Sequence, residues 1–253
     1  MITRLEQVAD GVHRLTDGIV NGYLIEDDDG ITILDTTWPR NWSGVEGAIH
    51  DIGRSLEQVR AVVLTHGHPD HVGAAEHARR TLGVPVHAHR REVDRARGTA
   101  RGASPFALVP GLLPHLWRPS AFAFVLHATR HGFMNPTWVG EVTPFDDEDE
   151  LPVPGRPRPV ATPGHTQGHT AFHLADRGVL FSGDALVTLD VLTREEGPRL
   201  LPDALNGDSG QARSSLAALE GLDADVILPG HGEPWRGAPA EAAAQARSTT
   251  RET

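Results

Sequence analysis

The stretch VVLTHGHPDHVGAAEH, residues 62–77, places three histidines and an aspartate within His66–His71. A solvated turn needs only Ser, Asn or Asp. Concentrating imidazoles there points instead to metal ligation. Just before it, VRAVVLT from Val59 is a continuous apolar run that reads as a buried strand, and just after it HVGAAEHARRTLG reads as a helix closed by Gly83. VPVHAH from Val84 is the next strand, so the donor cluster sits at the end of the first strand of a βαβ unit.

Working outward, VHRLT at Val12, GYLIED at Gly22 and ITILDT at Ile31 read as a strand meander separated by the turn signals DG, NG and DDDG. SGVEGAIHDIG from Ser43 reads as a helix. The second half repeats the logic: strands RPVAT, TAFHLAD and GVLFSGD, a helix over SGQARSSLAALEGL, a strand DVILPGH and an alanine-rich helix from Pro239. Two β-rich halves with outer helices predict a sandwich of two sheets flanked by helices. Between the halves, prolines 105, 110, 114, 119 and 136 break any long helix, so residues 98–149 are expected to form a lid of short helices ending in the acidic run DDEDE. That insertion holds Phe106, Trp117, Phe122, Phe124, Phe133, Trp138 and Phe145, seven of the thirteen aromatic residues.

Composition narrows the chemistry. There is no cysteine, so disulfides, thiolate metal sites and cysteine nucleophiles are excluded, and there is no lysine to act as a base or Schiff-base former. A net charge of −11 argues against nucleic acid and against anionic membranes as partners. No apolar run is long enough to span a bilayer, and the N-terminus lacks the features of a secretory signal, which predicts a soluble, cytoplasmic protein.

Four loops at strand ends carry donors: THGHPDH at Thr65, TPGHTQGH at Thr162, FSGD at Phe181 and LPGHG at Leu228. His66 and His68 can serve one ion while Asp70 and His71 turn toward a second, with His165, Asp184 and His231 as further candidates. Imidazole and carboxylate suit zinc, and also iron or manganese. The remaining histidines, His127 and His131 among them, read as ordinary surface or core residues.

The motif His66-x-His68-x-Asp70-His71, followed in order by PGHT, SGD and PGHG, resembles the metallo-β-lactamase superfamily over about residues 12–232. The resemblance implies an αββα sandwich, within one domain over residues 1–253, and two metal ions, most simply zinc. It assigns His66, His68 and His165 to the first ion, Asp70, His71 and His231 to the second, and Asp184 to a bridge between them. His169 would support the ligands by hydrogen bonding from behind, and Asp35 could accept from a ligand imidazole and fix its tautomer. Two adjacent dications would supply a hydroxide nucleophile at neutral pH, with Asp70 orienting it and carrying its proton. The implied activity is hydrolysis of an ester, thioester or lactone of a small acyl substrate. The alternatives are a mononuclear-iron persulfide dioxygenase and a β-lactam hydrolase. Val187 stands where acyl-homoserine lactonases of this fold carry a tyrosine. Tyr23, Trp117, Phe124 and Trp138 are the candidate substrate contacts, and Arg118 and Arg130 could pair with a substrate carboxylate. Oligomeric state does not follow from the sequence.

Overall fold

The computed structural model describes residue 2, residues 4–146 and residues 150–249, so part of the acidic run lies outside the described residues. The first half is a meander of β1 (Arg4–Ala9), β2 (Val12–Thr16), β3 (Asn21–Asp27) and β4 (Gly30–Leu34). Then come α1 (Trp42–Asp51), β5 (Val59–Val63), α2 (Pro69–Val72), α3 (Ala75–Leu82), β6 (Val86–His89) and α4 (Val93–Ala96). The helix expected after the donor cluster is broken at Gly73, leaving α2 as a single turn that carries Asp70 and His71. The insertion contains α5 (Val109–Leu112) and α6 (Pro119–Arg130), and is followed by β7 (Thr143–Phe145). Because β7 pairs with β6, the end of the segment expected to be lid belongs to the sheet.

The second half runs through β8 (Arg158–Ala161), β9 (Thr170–Leu174), β10 (Val179–Gly183), β11 (Val187–Leu189), β12 (Glu196–Arg199), α7 (Ser209–Ser215) and α8 (Ala217–Glu220). It ends with β13 (Val226–Pro229), β14 (Trp235–Arg236) and α9 (Pro239–Thr249). One sheet has the order β1-β2-β3-β4-β5-β6-β7 and the other β14-β13-β10-β9-β8, with β11 and β12 forming a separate ribbon.

Alternation along the strands builds the layers. In β10, Val179 and Phe181 face the other sheet while Leu180 faces α7, α8 and α9; in β13, Val226 and Leu228 face inward and Ile227 outward. In β4, Ile31 and Ile33 pack on α1 and α3 while Leu34 faces the second sheet. Strands covered on both faces read as continuous apolar runs. The result is the αββα sandwich, with Tyr23, Phe172 and Phe181 in its inter-sheet core. Tyr23 and Phe181 meet edge to face with centroids 5.1 Å apart. Phe181→Ala is expected to cost about 3–5 kcal/mol, because the void lies between two sheets that cannot collapse onto it. Chemical denaturation of the purified variant against wild type measures this.

Candidate metal centre

Each donor loop leaves the C-terminal end of a strand: Asp35 after β4, His66 to His71 after β5, His165 after β8, Asp184 after β10 and His231 after β13. They converge at one rim of the sandwich. His66 Nε2, His68 Nδ1 and His165 Nε2 form a triangle with sides of 3.0, 2.8 and 3.2 Å. The outer nitrogens decide what this triangle is. Thr65 Oγ1 donates to Asp35 Oδ2 at 2.7 Å and so accepts from His66 Nδ1–H at 3.0 Å, and His165 Nδ1–H donates to Asn206 Oδ1 at 3.2 Å. Both Nε2 atoms are then unprotonated and turn lone pairs toward one point, a donor set that fits a cation.

A second set lies beside it. His71 Nδ1–H donates to Asp35 Oδ2 at 2.8 Å and His231 Nδ1–H to the Ile19 carbonyl at 2.9 Å, so their Nε2 atoms also point inward. Those atoms lie 4.0 and 3.7 Å from Asp70 Oδ2. Asp184 stands between the sets, 3.4 Å from His165 Nε2, 3.5 Å from His71 Nε2 and 3.3 Å from His231 Nε2. His71 Nε2 and Asp184 Oδ1 are buried with no hydrogen-bond partner. Buried polar atoms rarely go unpaired, and here they face each other across a space ringed by ligand-type atoms, as a cation requires.

Burial and mutual repulsion hold His66 and His68 well below the usual imidazole range, and burial brings His165 down to about 4. Burial acts the same way on His71, but the carboxylates of Asp184, Asp35 and Asp70 more than offset it and hold that ring well above its ordinary value. Burial would raise Asp184, yet His231 and His71 keep it well below the carboxylate range, while Asp70 is raised by burial. A cation entering this set competes with the protons that the carboxylates draw onto His71 and His231.

A family model for the metallo-beta-lactamase superfamily matches residues 15–231. The chain belongs to that superfamily. Among its superfamily relatives, the "Probable metallo-hydrolase YflN" of Bacillus subtilis (strain 168) is 32% identical over 247 residues, covering 91% of this chain and 87% of the relative. The crystal structure of the metallo-beta-lactamase family protein TTHA1429 from Thermus thermophilus superposes with a TM-score of 0.67 at 26% identity, over 96% of this chain and 80% of the other. The fold of the metallo-beta-lactamase SMB-1 superposes with a TM-score of 0.69 at 19% identity, over 98% and 94%.

Around this candidate centre, Asp35 takes a left-handed backbone conformation, and its two oxygens accept from Thr65 N, Thr65 Oγ1 and His71 Nδ1. His169 accepts from the Asp184 amide through Nε2 at 2.9 Å, so it supports the loop and its Nε2 lone pair is spent. Gly230 leaves the space this packing needs: a Cβ there would collide with Asp184 Oδ1. Glu92 is a residue that the sequence reading misses. It is buried, and its two oxygens accept from Gly67 N at 2.9 Å and Gly168 N at 2.8 Å, joining the His66–His68 loop to the His165–His169 loop. Nothing local distinguishes it from the surface acids nearby, because its partners are brought to it by the packing of the two sheets.

An apolar cavity of about 140 Å³ opens over the centre, lined by His68, Asp70, His165, Asp184 and His231 below and by Leu108, Leu112, Phe124, Val125, Phe133 and Met134 from the insertion, among others. Of the expected substrate contacts, Phe124 is there. Tyr23 is not: its alternate position in β3 faces the inter-sheet core, where its hydroxyl donates to the Pro229 carbonyl at 2.6 Å and steadies the loop of His231. Trp117 projects into solvent, and Trp138 covers Gly98, whose missing side chain leaves room for the ring. Neither Arg118 nor Arg130 lines the cavity; Arg118 stands just before α6 with its guanidinium over the Trp117 ring.

His127, read as ordinary from sequence, donates from α6 to Asp17 Oδ2 at 2.6 Å. The same oxygen accepts from Trp38 Nε1 at 2.6 Å, and Oδ1 accepts from the amides of Ile19 and Val20. Burial would raise the Asp17 carboxyl, but His127 and the two amides outweigh it and hold the group at about 2. A depressed carboxyl stabilises the fold fully above its unfolded value near 4 and progressively less as pH falls toward 2, for a total of about 2 kcal/mol. Wild type should therefore exceed Asp17→Asn in unfolding free energy at pH 7, with the gap shrinking between pH 4 and pH 2 in paired denaturation series.

Glu92→Gln exchanges one acceptor for a donor facing an amide N–H. It should weaken metal affinity by about tenfold or more while the fold persists. Zinc competition with a chromophoric chelator, alongside circular dichroism, measures both.

Proposed function

We propose that the chain is a dinuclear metal-dependent hydrolase of an ester, thioester or lactone bearing a small, uncharged, apolar acyl or alcohol group. The observation that carries this reading is the convergence of His66, His68, His165, Asp184, Asp70, His71 and His231 beneath an apolar cavity. His66, His68 and His165 would hold one ion, Asp70, His71 and His231 a second, and Asp184 both. The completeness of the second set favours two ions over one, and zinc suits the donors. Bound there, such a pair supplies Lewis acidity that activates water and polarises the acyl oxygen.

The chain's own groups carry the rest. Asp70 and Asp184 both line the cavity, Asp184 between the two donor sets and Asp70 beside the second. Asp70, at the cavity floor beside the second donor set, is placed to take the proton of attacking water and pass it to the leaving group. Asp184, held ionised, acts as a fixed anion. Leu108, Leu112, Phe124, Phe133 and Met134 bind the apolar part of the substrate and exclude bulk water. Among the described residues that line the cavity none is an arginine or lysine, which favours substrates lacking a carboxylate. That weighs against carboxylate-bearing substrates such as glutathione thioesters, glutathione persulfide and β-lactams.

The test is a screen of zinc-loaded protein on neutral alkyl and aryl esters, thioesters, lactones and a β-lactam, with metal content measured in parallel. Two ions per chain and turnover of neutral acyl substrates are expected. Asp70→Asn should lower kcat by about 100-fold or more at saturating metal, and Phe124→Ala should raise KM for the bulkier esters selectively. One iron per chain after reconstitution, or preference for the anionic substrates, overturns the reading.

A further inference from the structure

Every exposed large hydrophobic side chain among the described residues lies in one segment: Phe106, Val109, Leu113, Trp117, Phe122 and Leu126. Trp117 is 75% exposed and Phe106 65%. Helix α6 is apolar nearly all round. Its inner face, Ala121, Phe124 and Ala128, packs on Trp38, Val191 and Leu192, while Phe122 and Leu126 point outward. A helix of that kind at the surface needs something to cover it.

The charge of the same segment says what. The net charge of −11 argues against anionic membranes for the chain as a whole, but it is unevenly spread. From Gly98 to Gly140 there is no aspartate or glutamate, and the charged residues are Arg101, Arg118 and Arg130. Arg118, Phe122, Leu126 and Arg130 follow one another at four-residue spacing, a row along α6 with a guanidinium at each end and apolar groups between. The Arg118 guanidinium lies 5.2 Å from the centroid of Trp117, pairing a cation with an indole as a headgroup region accommodates them. Val109 is both exposed on this patch and part of the cavity wall, so the apolar surface is continuous with the cavity over the centre.

We propose that the outward face of residues 106–130 docks on an anionic lipid surface, with Trp117, Phe122 and Leu126 inserted at the acyl boundary and Arg118 and Arg130 on the headgroups. A bilayer supplies the apolar layer and the anionic charge together. A second copy of the chain fits less well, because a two-fold contact would set this acid-free, arginine-bearing face against itself. Docking opens the cavity toward the lipid phase, from which an apolar substrate can enter. The lipid contact stands independently of the hydrolase reading, since it rests on residues outside the centre.

The experiment is co-sedimentation of the full chain with vesicles of phosphatidylcholine, or of phosphatidylcholine and phosphatidylglycerol in equal parts, combined with light scattering of the free protein. Binding to the mixed vesicles well above that to phosphatidylcholine alone is expected. Phe122→Ser with Leu126→Ser, and separately Arg118→Glu with Arg130→Glu, should each cut the vesicle partition constant by about tenfold or more, with melting temperature and metal content retained. Vesicles with brominated acyl chains should quench wild-type tryptophan fluorescence, and Trp117→Phe should lose most of that quenching. The proposal is overturned if wild type stays in the supernatant, if both double variants bind as wild type does, or if vesicle binding is absent and wild type is a dimer that Phe122→Ser with Leu126→Ser converts to a monomer.

Discussion

Imidazole nitrogens can turn free lone pairs toward one cation site when an acceptor holds the proton on the opposite nitrogen of the ring. In this protein that constraint is met at His66 by Thr65 Oγ1, at His165 by Asn206 Oδ1, at His71 by Asp35 Oδ2 and at His231 by the Ile19 carbonyl. Asp35 is central to the arrangement. It binds His71 directly and, through the Thr65 hydroxyl, orders His66, so one carboxylate at the end of β4 sets the tautomers of rings belonging to both ligand sets. Without these partners each ring would present a proton to its neighbours, and the buried cluster would be a group of clashing donors.

The sandwich exists around that requirement. Two sheets packed through Tyr23, Phe172 and Phe181 bring the ends of β4, β5, β10 and β13 to one rim, and the loops are then tied to one another by groups that never enter the site. Glu92 bridges the amides of Gly67 and Gly168, Tyr23 and Asn21 hold Pro229, and His169 holds the amide of Asp184. Buried hydrogen bonds between side chains and the backbone are stiff because leaving either partner unpaired is costly. Rigidity at the rim keeps Asp184 Oδ1 and His71 Nε2 facing each other.

The insertion adds the apolar roof, and it is coupled to the rim. His127 of α6 binds Asp17, Asp17 collects the amides of Ile19 and Val20, and the Ile19 carbonyl accepts from His231. The roof over the cavity and one of the metal-type ligands therefore share a continuous hydrogen-bonded path. A seat for apolar groups beside buried, charged donors is a low-dielectric setting in which those charges act strongly on whatever binds between them.

Much of this was legible in the chain. Donor residues crowded at the ends of apolar runs, and glycines and prolines beside them, are local signals, and the order of the four motifs carried the superfamily resemblance that the family match bears out. The αββα layering was readable because strands covered on both faces are apolar throughout. Edge elements were less so: β1 is half exposed and mixed in character, and β7 is three residues long with a proline inside. What a side chain touches across the sandwich was not readable at all. Tyr23 faces the core rather than the cavity because strand alternation and sheet stacking place it opposite Phe181, and Trp117 is left exposed just before α6, whose inner face packs on Trp38. Glu92 with Gly168 and His127 with Asp17 are contacts across long separations in sequence. The identity of a ligand set is written locally, since each motif carries its own donors, whereas the partners that orient those donors are chosen by tertiary packing, which alone decides which distant groups lie within hydrogen-bonding distance.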